Sequence, residues 1–132
     1  MTEARAQATA VETEFAARID RIRARVVLKV AEKIQEIDAT MSLMTDDGDT
    51  AVDAVASAYR WLHDVSGIGS IIGFEATGRQ ARLCADVLVS SFRAQRGLSS
   101  DELALLAGGF ETFRIVALSE THFTELSRRP AP

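Results

Sequence analysis

One histidine followed by small residues is the feature of this sequence best suited to chemistry. His63 lies in the run LHDVSGIGSIIGF, residues 62–74, with Ser66 three positions and Gly67 four positions after it. In a helix these positions share a side with His63, one turn further on, so a reacting group could approach the imidazole over Gly67. Imidazole is largely neutral near pH 7 and then has one nitrogen free to act as a nucleophile. We therefore expect His63 to be able to carry a phosphoryl group.

The glycines after His63 need a physical reason, because each one weakens a helix. A glycine inside a helix costs roughly 1 kcal/mol relative to alanine. Gly67 and Gly69 both fall in a segment with helical spacing, and Gly73 follows just beyond. Close packing against a neighbouring helix is one compensation, and access to His63 is another.

Other kinds of chemistry find little support in the sequence. No glycine-rich loop precedes a Lys-Ser or Lys-Thr pair, so we expect no ATP site of that type. Spacing suggests no Ser/His/Asp or Cys/His arrangement. The single cysteine, Cys84, excludes an internal disulfide and fits a buried helix position, and His122 has no motif near it. We expect no cofactor and no metal site of the chain's own.

Charge and hydropathy restrict the possible partners and location. The net charge is −4 over 132 residues, which disfavours nucleic acid as a main partner, because neutralising phosphates requires a basic face. No apolar run approaches the roughly 18 residues of a membrane span, and residues 1–10 lack an apolar signal region. The expectation is a soluble, cytoplasmic protein that binds neither nucleic acid nor membrane.

Apolar residues at three- and four-residue spacing predict a long first helix and three shorter ones. The first should be about thirty residues long, or about 45 Å, with an apolar stripe from Phe15 to Met41. A loop over residues 42–49 leads to a second helix through Leu62 as far as Ile72. The third helix should run from Phe74 to Phe92, with Gly97 as its left-handed C-terminal residue.

The fourth helix has the strongest start signal in the chain. Ser99 and Glu102 have the spacing of a capping box, in which each side chain accepts a hydrogen bond from the other residue's backbone N–H. The pattern then continues to Leu126, and residues 128–132 form a tail. Four amphipathic helices with short connections predict a single all-α domain over residues 1–132, an antiparallel four-helix bundle with a long N-terminal helix. The long helix could overhang the bundle and pair with a second copy.

The segment after His63 resembles the histidine-containing phosphotransfer (Hpt) family of two-component phosphorelays. The family pattern is a histidine, a glycine four residues later and a second glycine six residues after that, here His63, Gly67 and Gly73. The family fold is a four-helix bundle with the histidine exposed midway along its second helix. The resemblance implies that His63 accepts a phosphoryl group from the aspartate of one receiver domain and passes it to another. It also implies that the receiver supplies the Mg²⁺ and that a hybrid histidine kinase is a further possible partner.

The sequence departs from the family at two positions. The family usually has lysine three residues after the histidine to hold the phosphate, and this chain has Ser66; Thr77 replaces a leucine that is frequent there. Arg60, one turn before His63, is a possible substitute cation, with Arg79 and Arg82 as weaker candidates. We expect Arg60, Ser66 and Gly67 to support His63. The candidate docking residues are Tyr59, Asp64, Ser70 and Gly73.

Two other functions fit the same residues. The His63–Asp64 pair resembles the histidine–acid pair in the dimerisation helices of sensor histidine kinases, which would make the chain a dimeric phosphotransferase. The chain could also be a non-catalytic helical interaction module in which His63 is incidental. A buried imidazole with a fixed hydrogen-bond partner would favour the interaction module.

Overall fold

The computed structural model is built of four helices, as the apolar spacing predicts. It describes residues 2–46 and 48–128, and the side chains of residues 3–46 and 48–122. The helices are α1 (Thr2–Thr40), α2 (Asp49–Ile68), α3 (Glu75–Ala94) and α4 (Ser100–Arg128), and a short 3₁₀ turn (Met41–Leu43) follows α1. The described residues include no strand. The tail predicted over residues 128–132 lies outside the described residues except for Arg128, which is the last residue of α4.

All four helices contribute to one hydrophobic core. Each helix buries residues three or four positions apart, so that one stripe faces inward. Met44, in the loop after α1, is also completely buried, although the sequence pattern placed it in a polar connection. The largest buried side chains come from α2, α3, α4 and the two loops around α2: Phe74, Phe110, Phe113, Met44, Leu62, Ile72, Leu88 and Leu106.

Contacts between helices show how neighbouring helices are paired along the chain. Tyr59 in the middle of α2 stacks on Phe92 near the end of α3, and Gly69, ten residues later, lies against Gly78 near the start of α3. A salt bridge joins Asp38 near the end of α1 to Arg114 in α4. As the contacts advance along α2 they move back along α3, which is the order that antiparallel neighbours produce.

The α2–α3 crossing depends on glycine at two facing positions. A Cβ atom added at Gly69 would lie 2.7 Å from the Gly78 Cα and 2.8 Å from the Phe74 carbonyl oxygen. The two backbones therefore touch directly. The second helix ends at Ile68, four residues before the predicted Ile72, because the chain turns here with Gly73 at a φ of +87°.

The end of α3 corrects one prediction. Gln95, and not Gly97, is the left-handed residue, with a φ of 52°. The Gln95 N–H donates to the Phe92 carbonyl and the Arg96 N–H donates to the Ser91 carbonyl, as in a Schellman motif. Gly97 is required for packing instead, because a Cβ there would lie 2.7 Å from the carbonyl oxygens of both Met44 and Asp46.

The capping box at α4 is confirmed in both directions. The Ser99 N–H donates to the Glu102 carboxylate at 2.9 Å, and the Glu102 N–H donates to the Ser99 hydroxyl at 3.1 Å. Arg96 adds a salt bridge to the same carboxylate at 2.9 Å. Hydrogen bonds from the Arg96 guanidinium and the Ser99 N–H lower the pKa of Glu102 to about 2.

The first helix is longer than the predicted thirty residues, and its first half does not join the core. It spans 39 residues, and its buried residues begin only at Val30. Phe15, placed by the spacing at the start of the buried stripe, is 61% exposed, and Val11 is 64% exposed. Periodicity shows which face of a helix is apolar, but it does not show whether another helix covers that face. In the described part of the chain, no helix is long and apolar enough to cross a membrane.

Candidate functional site

His63 lies on the exposed side of α2, past the middle of the helix, as the spacing predicts. Leu62 beside it is completely buried, whereas His63 and Asp64 are exposed. No side chain in the described part of the chain hydrogen-bonds to the imidazole. The ring instead stacks on Tyr59, one turn earlier, with centroids 5.5 Å apart and planes inclined by 20°. Among the described residues, no polar group therefore engages the imidazole nitrogens.

His63 is the outermost member of a stack of three rings, in which Tyr59 lies between His63 and Phe92. The Tyr59 ring, which supports the imidazole, stacks in turn on Phe92 of α3, with centroids 4.3 Å apart and planes inclined by 23°. Offset stacking of this kind contributes about 0.5–1.5 kcal/mol beyond the area buried. His63 therefore stacks directly on Tyr59 of its own helix, and Tyr59 links it to Phe92 of α3.

Arg60 belongs to the same assembly. Its guanidinium carbon lies 5.7 Å from the centroid of the Phe92 ring, within the range of a cation–π contact. Arg60 is three residues before His63, so the two side chains emerge from neighbouring positions on α2. We call His63, Tyr59, Phe92 and Arg60 the aromatic platform. The aromatic platform brings one positive charge and one nucleophilic ring together where α2 contacts α3.

Gly67 leaves open space one turn after His63. A Cβ added there would meet nothing within 4 Å, so packing does not explain this glycine. Ser66 is half-buried, and its hydroxyl donates to the His63 backbone carbonyl at 2.7 Å. That bond uses the hydroxyl proton, so a hydrogen bond from Ser66 to a bound phosphate would require the hydroxyl to rotate away from the backbone.

A cavity of about 810 Å³ adjoins the platform on the side of Arg60. Arg60, Phe92 and Asp64 line it, together with charged side chains of both signs. The cationic members are Lys33, Arg60 and Arg93, and the acidic members are Asp53 and Asp64. Of the predicted docking residues, Asp64 therefore belongs to the surroundings of Arg60.

The remaining sequence candidates lie further from the platform. Ser70 is exposed and lines a second cleft of about 260 Å³ with Ser66, Arg79 and Arg82. Gly73 lies in the turn after α2, where the Arg23 Nε of α1 donates to the Ile72 carbonyl at 2.6 Å. The positive φ of Gly73 gives this residue a backbone role in the turn.

Thr77 is completely buried and makes a polar contact. The Glu120 carboxylate of α4 accepts hydrogen bonds from the Thr77 hydroxyl at 2.6 Å and the Thr77 N–H at 3.0 Å. Glu120 thereby caps the N-terminus of α3 from a neighbouring helix, where Phe74 offers no side-chain cap. The hydrogen-bonding capacity of the buried Thr77 hydroxyl is therefore used, because the Glu120 carboxylate accepts from it.

The role of Phe92 beneath Tyr59 does not follow from the sequence, whose apolar spacing places this residue only in the inward stripe of the third helix. Tyr59 and His63 are four residues apart, and this spacing could have indicated their contact. The position of Phe92 depends on the register between α2 and α3, which no local pattern reveals. Cys84 is buried as predicted, and burial raises the pKa of its thiol to about 11, so it is no nucleophile near neutral pH. The described residues contain no group of three or more metal-ligating side chains.

The chain was compared with known protein families, with curated proteins and with solved structures, and none of the three comparisons produced a match.

Proposed function

We propose that this chain is a histidine phosphotransfer protein of a phosphorelay, with His63 as the phosphoryl carrier. The observation that carries the proposal is the state of the imidazole. It is exposed on α2, free of hydrogen bonds from the described side chains, and next to open space over Gly67. A buried imidazole with a fixed partner would have favoured an interaction module instead. The proposal includes the cytoplasmic location that the sequence predicts.

The transfer needs only a nucleophilic ring and a docked partner. A neutral imidazole nitrogen of His63 attacks the phosphorus of an aspartyl phosphate on a receiver domain. The N–P bond forms while the P–O bond to the aspartate breaks, and the carboxylate leaves with the electron pair. The imidazole proton on the other nitrogen is retained or exchanged with water. The reverse sequence delivers the group to a second receiver, whose own Mg²⁺ balances the charge.

Arg60 is the cation that replaces the missing lysine in this proposal. The cation–π contact with Phe92 uses no hydrogen bond, so the guanidinium N–H groups of Arg60 are available to a phosphate. Hydrogen bonds to charged groups contribute about 1.5–3 kcal/mol, which corresponds to roughly tenfold or more in rate. Arg82, in the second cleft with Ser66, is the matched comparison.

The test is phosphoryl transfer from a panel of phosphorylated receiver domains of the same organism. Wild type should become labelled with an acid-labile, base-stable phosphate, and His63→Gln should not. His122→Gln, which removes the other histidine, should be labelled like wild type. Arg60→Ala should slow labelling about tenfold, and Arg82→Ala should slow it less. A correctly folded wild type that no receiver labels would contradict the proposal and favour the interaction module.

A further inference from the structure

The first half of α1 carries an apolar stripe that the described part of the chain leaves uncovered. All residues from Glu3 to Ala16 are exposed. Val11 and Phe15 form the exposed part of the stripe, and the half-buried Ile19 and Ile22 continue it toward the bundle. A lone helical segment of this length is marginal in water, because most helix stability in proteins comes from packing of the apolar face. The stripe therefore calls for a partner.

The apolar stripe can pair with the same stripe of a second copy that runs in the opposite direction. If two α1 helices cross antiparallel with the two-fold axis near Ala17, Val11 faces Ile22 of the second copy and Phe15 faces Ile19 of the second copy. A two-fold interface requires this property, since each residue of the patch must meet its counterpart in the other chain. Spacings of four, four and three residues keep all four side chains on one face.

The charges beside the stripe change sign about the same point. Glu14 precedes Ala17 on one flank, and Arg18, Arg21 and Arg25 follow it on that flank. In an antiparallel pair the same flanks meet, so Glu14 of one copy lies opposite Arg18 and Arg21 of the other. Within the described residues neither Glu14 nor Arg18 takes part in a salt bridge, although their spacing of four would allow one inside the helix.

We infer that α1 is a homodimerisation helix, which packs against α1 of a second copy in the antiparallel orientation. Burying Phe15, Val11 and their isoleucine neighbours supplies the hydrophobic contribution, and the Glu14–Arg18 pairs select the antiparallel orientation. The inference rests on the composition and exposure of α1 and is independent of phosphoryl transfer at His63.

The experiment is sedimentation equilibrium of the full chain over a wide concentration range. We expect a monomer–dimer equilibrium. Phe15→Glu should abolish the dimer without unfolding the monomer, because this side chain is already exposed. Leu28→Glu is the matched control, since Leu28 is 79% exposed on a different face of the same helix. Circular dichroism should show unchanged helicity in both variants.

Charge exchange tests the orientation. Glu14→Arg alone and Arg18→Glu alone should each weaken the dimer, because like charges then face each other across the interface. The double variant should recover part of the lost affinity, because attraction returns between positions 14 and 18 while Arg21 still opposes the new charge at position 14. A wild type that stays monomeric at every concentration would overturn the inference, as would a dimer that Phe15→Glu leaves intact. A double variant that is no tighter than the single ones would overturn the antiparallel arrangement.

Discussion

The α2–α3 pair and the first half of α1 show two outcomes for amphipathic helices in one chain. In α2 and α3, backbones touch at Gly69 and Gly78, and rings from both helices stack beneath His63. In α1, residues with equally regular apolar spacing remain exposed up to Ala16. The difference lies in what stands opposite each helix, and the spacing of apolar residues does not encode that.

The contrast also separates two roles for a surface. The α2–α3 face is supported by stacked rings and by direct backbone contact, which suits a group that must present one ring to successive partners. The start of α1 has no support from the described residues, which suits a segment completed by another chain. The predictions below test this contrast from the largest effect to the smallest.

The largest difference should appear between two phenylalanines. Phe110 in the core of the bundle is 1% exposed, and Phe110→Ala should lower the free energy of unfolding by about 3–5 kcal/mol. Phe15→Ala should change it by less than about 0.5 kcal/mol, because Phe15 is mainly exposed. Urea denaturation at a concentration where the chain is monomeric would measure both. Equal losses would mean that the first half of α1 is packed against the bundle.

Two glycines separated by one residue should respond in opposite directions. Gly69→Ala should destabilise the fold by about 1–3 kcal/mol, because the new Cβ would overlap the backbone of Gly78 and Phe74. Gly67→Ala should raise stability by up to about 1 kcal/mol, because its site is open and alanine favours the helix. Thermal unfolding of the two variants beside wild type would decide this. A destabilising Gly67→Ala would remove access to His63 as the reason for this glycine.

The smallest effect concerns the capping box, and it should depend on pH. The pKa of Glu102 is lowered to about 2 in the folded protein, against about 4.3 in an unfolded chain. Its stabilising contribution is therefore fully present above the unfolded pKa and is lost as the pH falls toward 2. The free energy of unfolding of wild type should exceed that of Glu102→Gln by up to about 1 kcal/mol at neutral pH, and the excess should vanish in acid.

Denaturant titrations of both proteins at several pH values would measure this difference. Arg96→Gln is the control, because removing the guanidinium should move the midpoint of the loss upward toward the ordinary glutamate value. A difference that is constant from neutral pH to pH 2 would show that the Glu102 charge contributes nothing.

Local signals in the sequence predicted much of the fold. The capping box of Ser99 and Glu102, the helical class and the exposure of His63 beside buried Leu62 all follow from short-range spacing. The Gly97 prediction was wrong because the left-handed residue at the end of α3 is Gln95. Gly97 is needed for a different reason, since a side chain there would overlap the backbone of the loop after α1.

The platform under His63 could be predicted only in part. Tyr59 is within one turn of His63, so their contact follows from helix geometry. Phe92 and its contact with Arg60 depend on how far α2 slides along α3, and the Gly69–Gly78 crossing determines that register. The hydrogen bond between Glu120 and Thr77 likewise joins residues 43 positions apart, and periodicity does not indicate contacts of this kind.

The measurement that tests the central claim most directly is a chase of phosphoryl-labelled protein with unlabelled receiver domains. A carrier must give the group away as well as accept it. Label on His63 should pass to a receiver aspartate in the presence of Mg²⁺, and a chelator should stop the transfer, since the receiver binds the metal. Label that stays on the chain with every receiver, or that is found on a residue other than His63, would contradict the account.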